Sequence, residues 1–300
     1  MTVDAELQKI LARATEAPPL NRLSVADARD VFRKLAQERI PLAPAVPYQD
    51  IVIGSAGAQI EARLYEPENA PAADLLVFFH GGGFVLGGIQ SHDPLCRRLA
   101  ATAPVRILSV GYRLGPEHKS PAAYLDGISA VSWAFERRSE NGRVYLAGDS
   151  AGGNIACWTA LDARIRDRGS VDGLVLIYPN VAFDHRSPSR EAYGEGYLLT
   201  GEDLRLFRSH FLQDAPDRSL LDTDPVGLPP TIMVTAGYDP LCDEGRALAS
   251  HLATAGVSVR ELHFPTLVHG FATMSHLSRA AQSAVQDIGA AIAALRRSEA

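Results

Sequence analysis

Eight short segments rich in β-forming residues recur along this chain. From the third onward, intervals long enough for a helix separate them. They are YQDIVIG from Tyr48, QIEARLYEP from Gln59, DLLVFFH from Asp74, VRILSVG from Val105, RVYLAGD from Arg143, GLVLIYP from Gly173, TIMVTAG from Thr231 and SVRELHF from Ser258. The first two lie close together and alternate apolar with polar residues, as an antiparallel start does. The later ones are mostly continuous apolar runs, which suit strands covered on both faces. The pattern predicts one doubly wound α/β domain with about eight mostly parallel strands flanked by helices. A chain of 300 residues is large for a single core, but α/β folds reach that size.

Two stretches do not belong to that alternation. The first forty residues read as two helices. Ser24 is placed to cap SVADARDVFRKLAQE, Asp27 favours its first turn, and EAPPL breaks the chain before it. Between Pro179 and Pro229 the chain is polar, and Thr200 is placed to cap GEDLRLFRSHFL with Asp203 in its first turn. This insertion leaves the sheet at a strand's carboxyl end, the side on which open α/β sheets bind ligands. The expected division is therefore a cap in two parts, 1–45 and 181–224, over a core of 46–180 and 225–300.

Charge and cysteine content narrow the partners. A net charge of −6 gives no reason to expect nucleic acid or an anionic membrane. The basic pairs Arg97-Arg98, Arg137-Arg138 and Arg296-Arg297 read as solvated helix faces. Cys96, Cys157 and Cys242 are odd in number and lack metal-ligand spacing, so free thiols are expected, with Cys242 close in sequence to a candidate site. The N-terminus carries early acids and no apolar core, unlike a signal peptide, and no segment is suited to span a bilayer. A reducing cytoplasm is the expected location.

The chemistry lies just past the strands. Gly148-Asp149-Ser150-Ala151-Gly152 is a G-x-S-x-G pattern between a strand and the helical NIACWTALDARI. That setting allows a sharp, strained turn that presents a serine. Serine needs a base, and the base needs an orienting carboxylate. Of the histidines after the seventh strand, only His269 falls in the loop just past the last one. Asp239 follows the seventh strand directly, with Pro240 stiffening its loop. Three residues past three strand ends can converge. The run HGGGF at His80–Phe84 is then explained. Glycines let backbone N–H groups approach an oxyanion, together with the amide of Ala151. A nucleotide-binding loop would need a Lys-Ser/Thr or G-x-G-x-x-G pattern that is absent. His80 is expected to brace the loop, and Asp149 to be structural.

With HGGGF, YRLGPEH at Tyr112–His118, GDSAGGN at Gly148–Asn154, YP at Tyr178–Pro179, DPLCDEG at Asp239–Gly245 and HGF at His269–Phe271, the chain resembles the hormone-sensitive-lipase-like α/β-hydrolases. These are bacterial carboxylesterases with an HGGG motif, and the resemblance runs from about Asp50 to the end. It implies a serine esterase with Ser150 as nucleophile, His269 as base and Asp239 as orienter. It implies oxyanion donors at Gly81, Gly82 and Ala151, no metal or organic cofactor, a helical cap, and a monomer or a homodimer through the last strand. Gly115 and Lys119–Pro121 depart from the family pattern.

Phe84, Tyr178, Tyr197, Phe207 and Leu241 are the candidate substrate-binding residues. With Phe183, Tyr193 and Leu198 they suggest a modest apolar pocket for short to medium acyl chains. An amidase, lactonase or acyltransferase would use the same residues, and a binding protein on this scaffold would dispense with the histidine.

Overall fold

The computed structural model describes the chain except residues 1, 15, 17, 69, 71–73, 213–214 and 298–300, and the side chains at 21, 163–164 and 297. Eight strands form one sheet: β1 (Tyr48–Ser55), β2 (Ala58–Tyr65), β3 (Leu75–Phe79), β4 (Arg106–Gly111), β5 (Val144–Asp149), β6 (Gly173–Ile177), β7 (Thr231–Tyr238) and β8 (Val259–Val268). Their order across the sheet is β1-β2-β4-β3-β5-β6-β7-β8. β2 is antiparallel to both β1 and β4, and every other pairing is parallel. All eight expected strands are present. β8 continues beyond the expected run to Val268, directly before His269.

The helices are α1 (Ala5–Ala14), α2 (Val25–Arg39), α3 (Ile89–Thr102), α4 (Ala122–Arg137), α5 (Ala151–Leu161), α6 (Ala163–Arg166), α7 (Pro188–Tyr193), α8 (Gly201–Phe211), α9 (Cys242–Thr254) and α10 (Arg279–Arg297). Alternate residues of the central strands feed two separate cores, as the two-residue strand period requires. Leu75, Val77 and Phe79 of β3 face one core with Ile155 of α5 and Leu248 of α9. Leu76 and Phe78 face the other with Leu99 of α3 and Ile288 of α10. A strand covered on both sides must be apolar throughout, which explains the continuous runs.

Ser24 caps α2, accepting from the Asp27 amide at 3.1 Å. Thr200 and Asp203 form a reciprocal box at the start of α8. α8 packs against the turn Leu20–Arg22 that precedes α2, so the N-terminal segment meets the insertion after β6. α1 has a different seat. The Asp4 amide just before it donates to Thr266 O of β8 at 2.9 Å, and Leu7 is buried.

The expectation of solvated basic pairs fails at two positions. Arg97 pairs with buried Asp93 at 2.6 Å, and Arg296 pairs with Asp74 at 2.8 Å. Arg98 keeps a solvent-exposed hydrogen bond to Leu42 O at 2.7 Å, and only its Nε is buried. Long side chains on packed helices carry their charge to partners on neighbouring segments, which local charge patterning does not reveal. Cys96, Cys157 and Cys242 are free and buried.

Candidate active site

Ser150 stands between β5 and α5 at φ 53° and ψ −118°. A side-chain-bearing residue pays for that conformation in steric strain, so the surroundings must enforce it. They do so through the backbone: the Ser150 amide donates to Ile177 O at 2.9 Å, and Ser150 O accepts from the Asn180 amide at 3.1 Å. The turn is too tight for side chains beside it. A Cβ on Gly148 would collide with the backbone of Gly152, and one on Gly152 with Phe79 O.

The three distant residues meet. Ser150 Oγ lies 3.0 Å from His269 Nε2, and His269 Nδ1 lies 2.8 Å from Asp239 Oδ2. The other Asp239 oxygen accepts the Leu241 amide at 2.7 Å, which fixes the carboxylate in its plane. Asp239 is wholly buried, and the His269 side chain is 10% exposed. The arrangement can draw the serine proton onto the imidazole and hold the resulting cation against a carboxylate.

The glycine loop divides its amides. Gly81, an expected oxyanion donor, is not free: its amide donates to Asp149 Oδ1 at 2.8 Å, with His92 Nε2 beside it at 3.3 Å. Among the described residues, the amides of Gly82, Gly83 and Ala151 have no acceptor. Gly83 is thus a candidate donor that motif reading did not separate from its neighbours. Gly82 at φ 120° and Gly83 at φ 62° occupy backbone regions suited to glycine.

Asp149 is held from several sides. Burial opposes its charge, yet His92, the Gly81 amide and His80 together keep its pKa below the usual carboxylate value. His80 is fully buried and stacked on Tyr112 at 4.2 Å, with Nδ1 against Gly81 O at 2.8 Å. Burial, then His92, lowers its pKa to about 3, so it braces the loop as a neutral ring.

The candidate substrate residues lie around this centre in different ways. Tyr178 is buried beside His269, with ring centroids 4.8 Å apart. Phe207 of α8 lies directly on Gly83, where a Cβ would run into its ring. Tyr197 stacks on Tyr238, the residue before Asp239. Phe84 and Leu241 are each 1% exposed. The Phe84 ring stacks on Phe211 at 4.1 Å, packing α8 onto the glycine loop.

Two anchors were not foreseen. Arg29 of α2 donates to Val85 O at 2.8 Å and Gly115 O at 2.7 Å, and pairs with Glu117 at 2.7 Å. Arg190 of α7 pairs with buried Glu244 at 2.7 Å. No local pattern in the sequence marks either partner. Among the described residues, no three of His, Cys, Asp and Glu are grouped to hold a metal ion.

A mostly parallel sheet, with its serine at the β5–α5 turn and its histidine past the last strand, defines the α/β-hydrolase fold. Residues 76–273 match the family described as alpha/beta hydrolase fold. The chain is 36% identical over 273 residues to LipN, a carboxylic ester hydrolase of Mycobacterium tuberculosis, covering 84% of this chain and 70% of that one. It is 35% identical over 295 residues to carboxylesterase NlhH of the same species, covering 91% of each. Among solved structures, a hyperthermophilic esterase from Pyrobaculum calidifontis superposes with a TM-score of 0.92 at 34% identity, covering 99% of both chains. The chain belongs to the hormone-sensitive-lipase-like family of α/β-hydrolases.

Proposed function

We propose that this protein is a serine carboxylesterase that hydrolyses short- to medium-chain acyl esters through an acyl-enzyme on Ser150. The observation that carries the reading is the continuous relay from Ser150 Oγ through His269 to buried Asp239 on an α/β-hydrolase scaffold.

Ser150 Oγ attacks the ester carbonyl carbon while its proton passes to His269 Nε2. Asp239 holds Nδ1 protonated and stabilises the imidazolium. The carbonyl oxygen takes the negative charge and receives N–H groups from Gly82, Gly83 and Ala151. Each such donor is typically worth about 3 kcal/mol in the transition state. The C–O bond to the alcohol then breaks, and His269 returns the proton to the departing oxygen. Water enters, gives its proton to His269 and attacks the acyl carbon. Collapse frees the carboxylic acid and restores the serine.

The short-to-medium preference is supported by Phe207, which lies on the glycine loop and limits the space above it. The cap consists of the N-terminal helices and 181–224. Three buried free cysteines fit a reducing cytoplasm, where the chain acts as a monomer or homodimer on small esters. Among the described residues, no helix is long and apolar enough to cross a membrane.

The test is hydrolysis of p-nitrophenyl acetate, butyrate, octanoate and palmitate by wild type and Ser150→Ala. The expected result is a maximum at short or medium chains and near-complete loss in the variant. Equal rates for the two proteins would overturn the reading, and faster turnover of palmitate would overturn the chain-length assignment.

A further inference from the structure

The residue that follows β6 holds an unusual backbone conformation. Tyr178 stands at φ 37°, in the left-handed region that a bulky side chain avoids. It is also 1% exposed, so this strain lies inside the core. Such outliers persist only where the surroundings over-determine them, and they gather at working sites. Here the surroundings are the supports of Ser150. Ile177 O, one residue before Tyr178, accepts the Ser150 amide at 2.9 Å. The Asn180 amide, two residues after it, donates to Ser150 O at 3.1 Å. The Tyr178 amide is itself tied to Val234 O of β7 at 2.7 Å. Tyr178 therefore sits inside the short segment that clasps Ser150 by both its N–H and its C=O.

Its side chain reaches the other partner of the relay. The Tyr178 and His269 ring centroids are 4.8 Å apart with their planes at 57°, within the contact range of aromatic rings. His269 is bonded through both ring nitrogens, Nε2 to Ser150 Oγ and Nδ1 to Asp239 Oδ2. Those two bonds leave the imidazole free to rock about the line that joins its nitrogens. A tilted ring packed against it opposes that motion. Tyr178 is backed in turn, because Phe271 stands T-shaped to it at 5.2 Å and Phe264 of β8 stands T-shaped to Phe271 at 5.4 Å. The hydroxyl does no comparable work. It is buried without a hydrogen-bond partner, and the nearby Ala272 amide does not meet it in hydrogen-bond geometry. Burial, then Asp149, raises its pKa well above the usual phenol value, so it stays protonated and cannot serve as a base.

We propose that Tyr178 is a positioning residue for His269: its backbone segment fixes Ser150 while its ring fixes the imidazole, so one strained residue sets the geometry of the relay. The inference rests on the serine-esterase reading above. It assigns the Tyr178 ring to the imidazole rather than to the acyl chain, and it makes the ring, not the hydroxyl, the working part.

The test compares Tyr178→Phe, which keeps the ring, with Tyr178→Leu, which removes it, in the full chain. One readout is the side-chain NMR signals of His269, identified by their loss in His269→Gln. The other is steady-state kinetics on p-nitrophenyl butyrate, well below the melting temperature of each variant. Tyr178→Phe should keep the His269 signals and kcat close to wild type. Tyr178→Leu should shift or broaden those signals and lower kcat about a hundredfold, with little change in KM. A purely structural role would lower the melting temperature and leave the His269 signals of the folded protein in place. Unaltered signals and kcat in folded Tyr178→Leu therefore overturn the proposal. So does an equal loss in Tyr178→Phe, which would make the hydroxyl the working part. A raised KM with kcat unchanged also overturns it and returns Tyr178 to substrate binding. If Tyr178→Leu does not fold, the unbranched Tyr178→Met decides in its place, and the Tyr178→Phe arm stands in either case. The NMR comparison needs no substrate, so a wild type that hydrolyses none of the esters refutes the esterase reading separately from the positioning role.

Discussion

Asp149 Oδ1 accepts the amide of Gly81 at 2.8 Å, so the residue before the candidate nucleophile grips the first glycine of the loop beside it. The bond joins the ends of β3 and β5, adjacent parallel strands. It removes Gly81 from the available donors and sets the direction in which Gly82 and Gly83 leave. Asp149→Ala would leave the buried Gly81 amide only the longer bond to His92 Nε2 at 3.3 Å, at a cost of about 1–3 kcal/mol. The expected outcome is a lower thermal midpoint, with kcat falling more than KM changes. Steady-state kinetics on p-nitrophenyl butyrate check this, and an unchanged kcat would show that the loop holds its shape without Asp149.

Asp239 is wholly buried and bonded to both His269 Nδ1 and the Leu241 amide. Asp239→Asn keeps the shape but can hold the imidazole in the wrong tautomer. A fall in kcat of about ten-thousand-fold is expected, with little loss of stability. Kinetics and thermal unfolding on the same preparation separate the two effects.

Gly115 faces the backbone of α8, where a Cβ would stand 2.7 Å from His210 O. Gly115→Ala should displace α8, destabilising the fold by about 1–3 kcal/mol. Because α8 carries Phe207 over Gly83, the octanoate-to-acetate ratio of kcat/KM should rise. A less stable variant with an unchanged ratio would show that α8 does not limit acyl length.

Glu244 accepts from the Val181 amide at 2.9 Å and pairs with Arg190. Burial raises its pKa to about 7, against the pull of Arg190. The folded state thus holds a proton that the unfolded state releases at lower pH. Its contribution to stability is fully present below the unfolded value and is lost as pH rises through about 7. Glu244→Gln removes this titration. The stability difference, wild type minus variant, should fall between pH 5 and pH 8 in denaturant melts, where about 1.4 kcal/mol corresponds to each pKa unit. A difference that stays constant or grows would refute the assignment.

Arg29 joins α2 to Val85 O, Gly115 O and Glu117, whose pKa falls to about 2, chiefly through its bond to Arg29. Arg29→Gln should therefore loosen α2 from the glycine loop. Faster amide exchange in α2 is expected, with a smaller change in β3. Unaltered exchange in α2 would assign that attachment to α2–α3 packing.

The linear sequence determined the strands, because a sheet covered on both faces demands continuous apolar runs. It also determined which serine, aspartate and histidine follow strand ends, because strand-to-loop boundaries are local. The caps at Ser24 and Thr200 were legible for the same reason. Only the tertiary structure decided how the three glycines divide their amides, since the acceptor for Gly81 comes from Asp149, 68 residues away. It also drew Arg97 and Arg296 out of solvent and paired Arg190 with Glu244. Local residue types report backbone geometry and burial period, whereas hydrogen-bond and charge partners depend on which distant segments pack together.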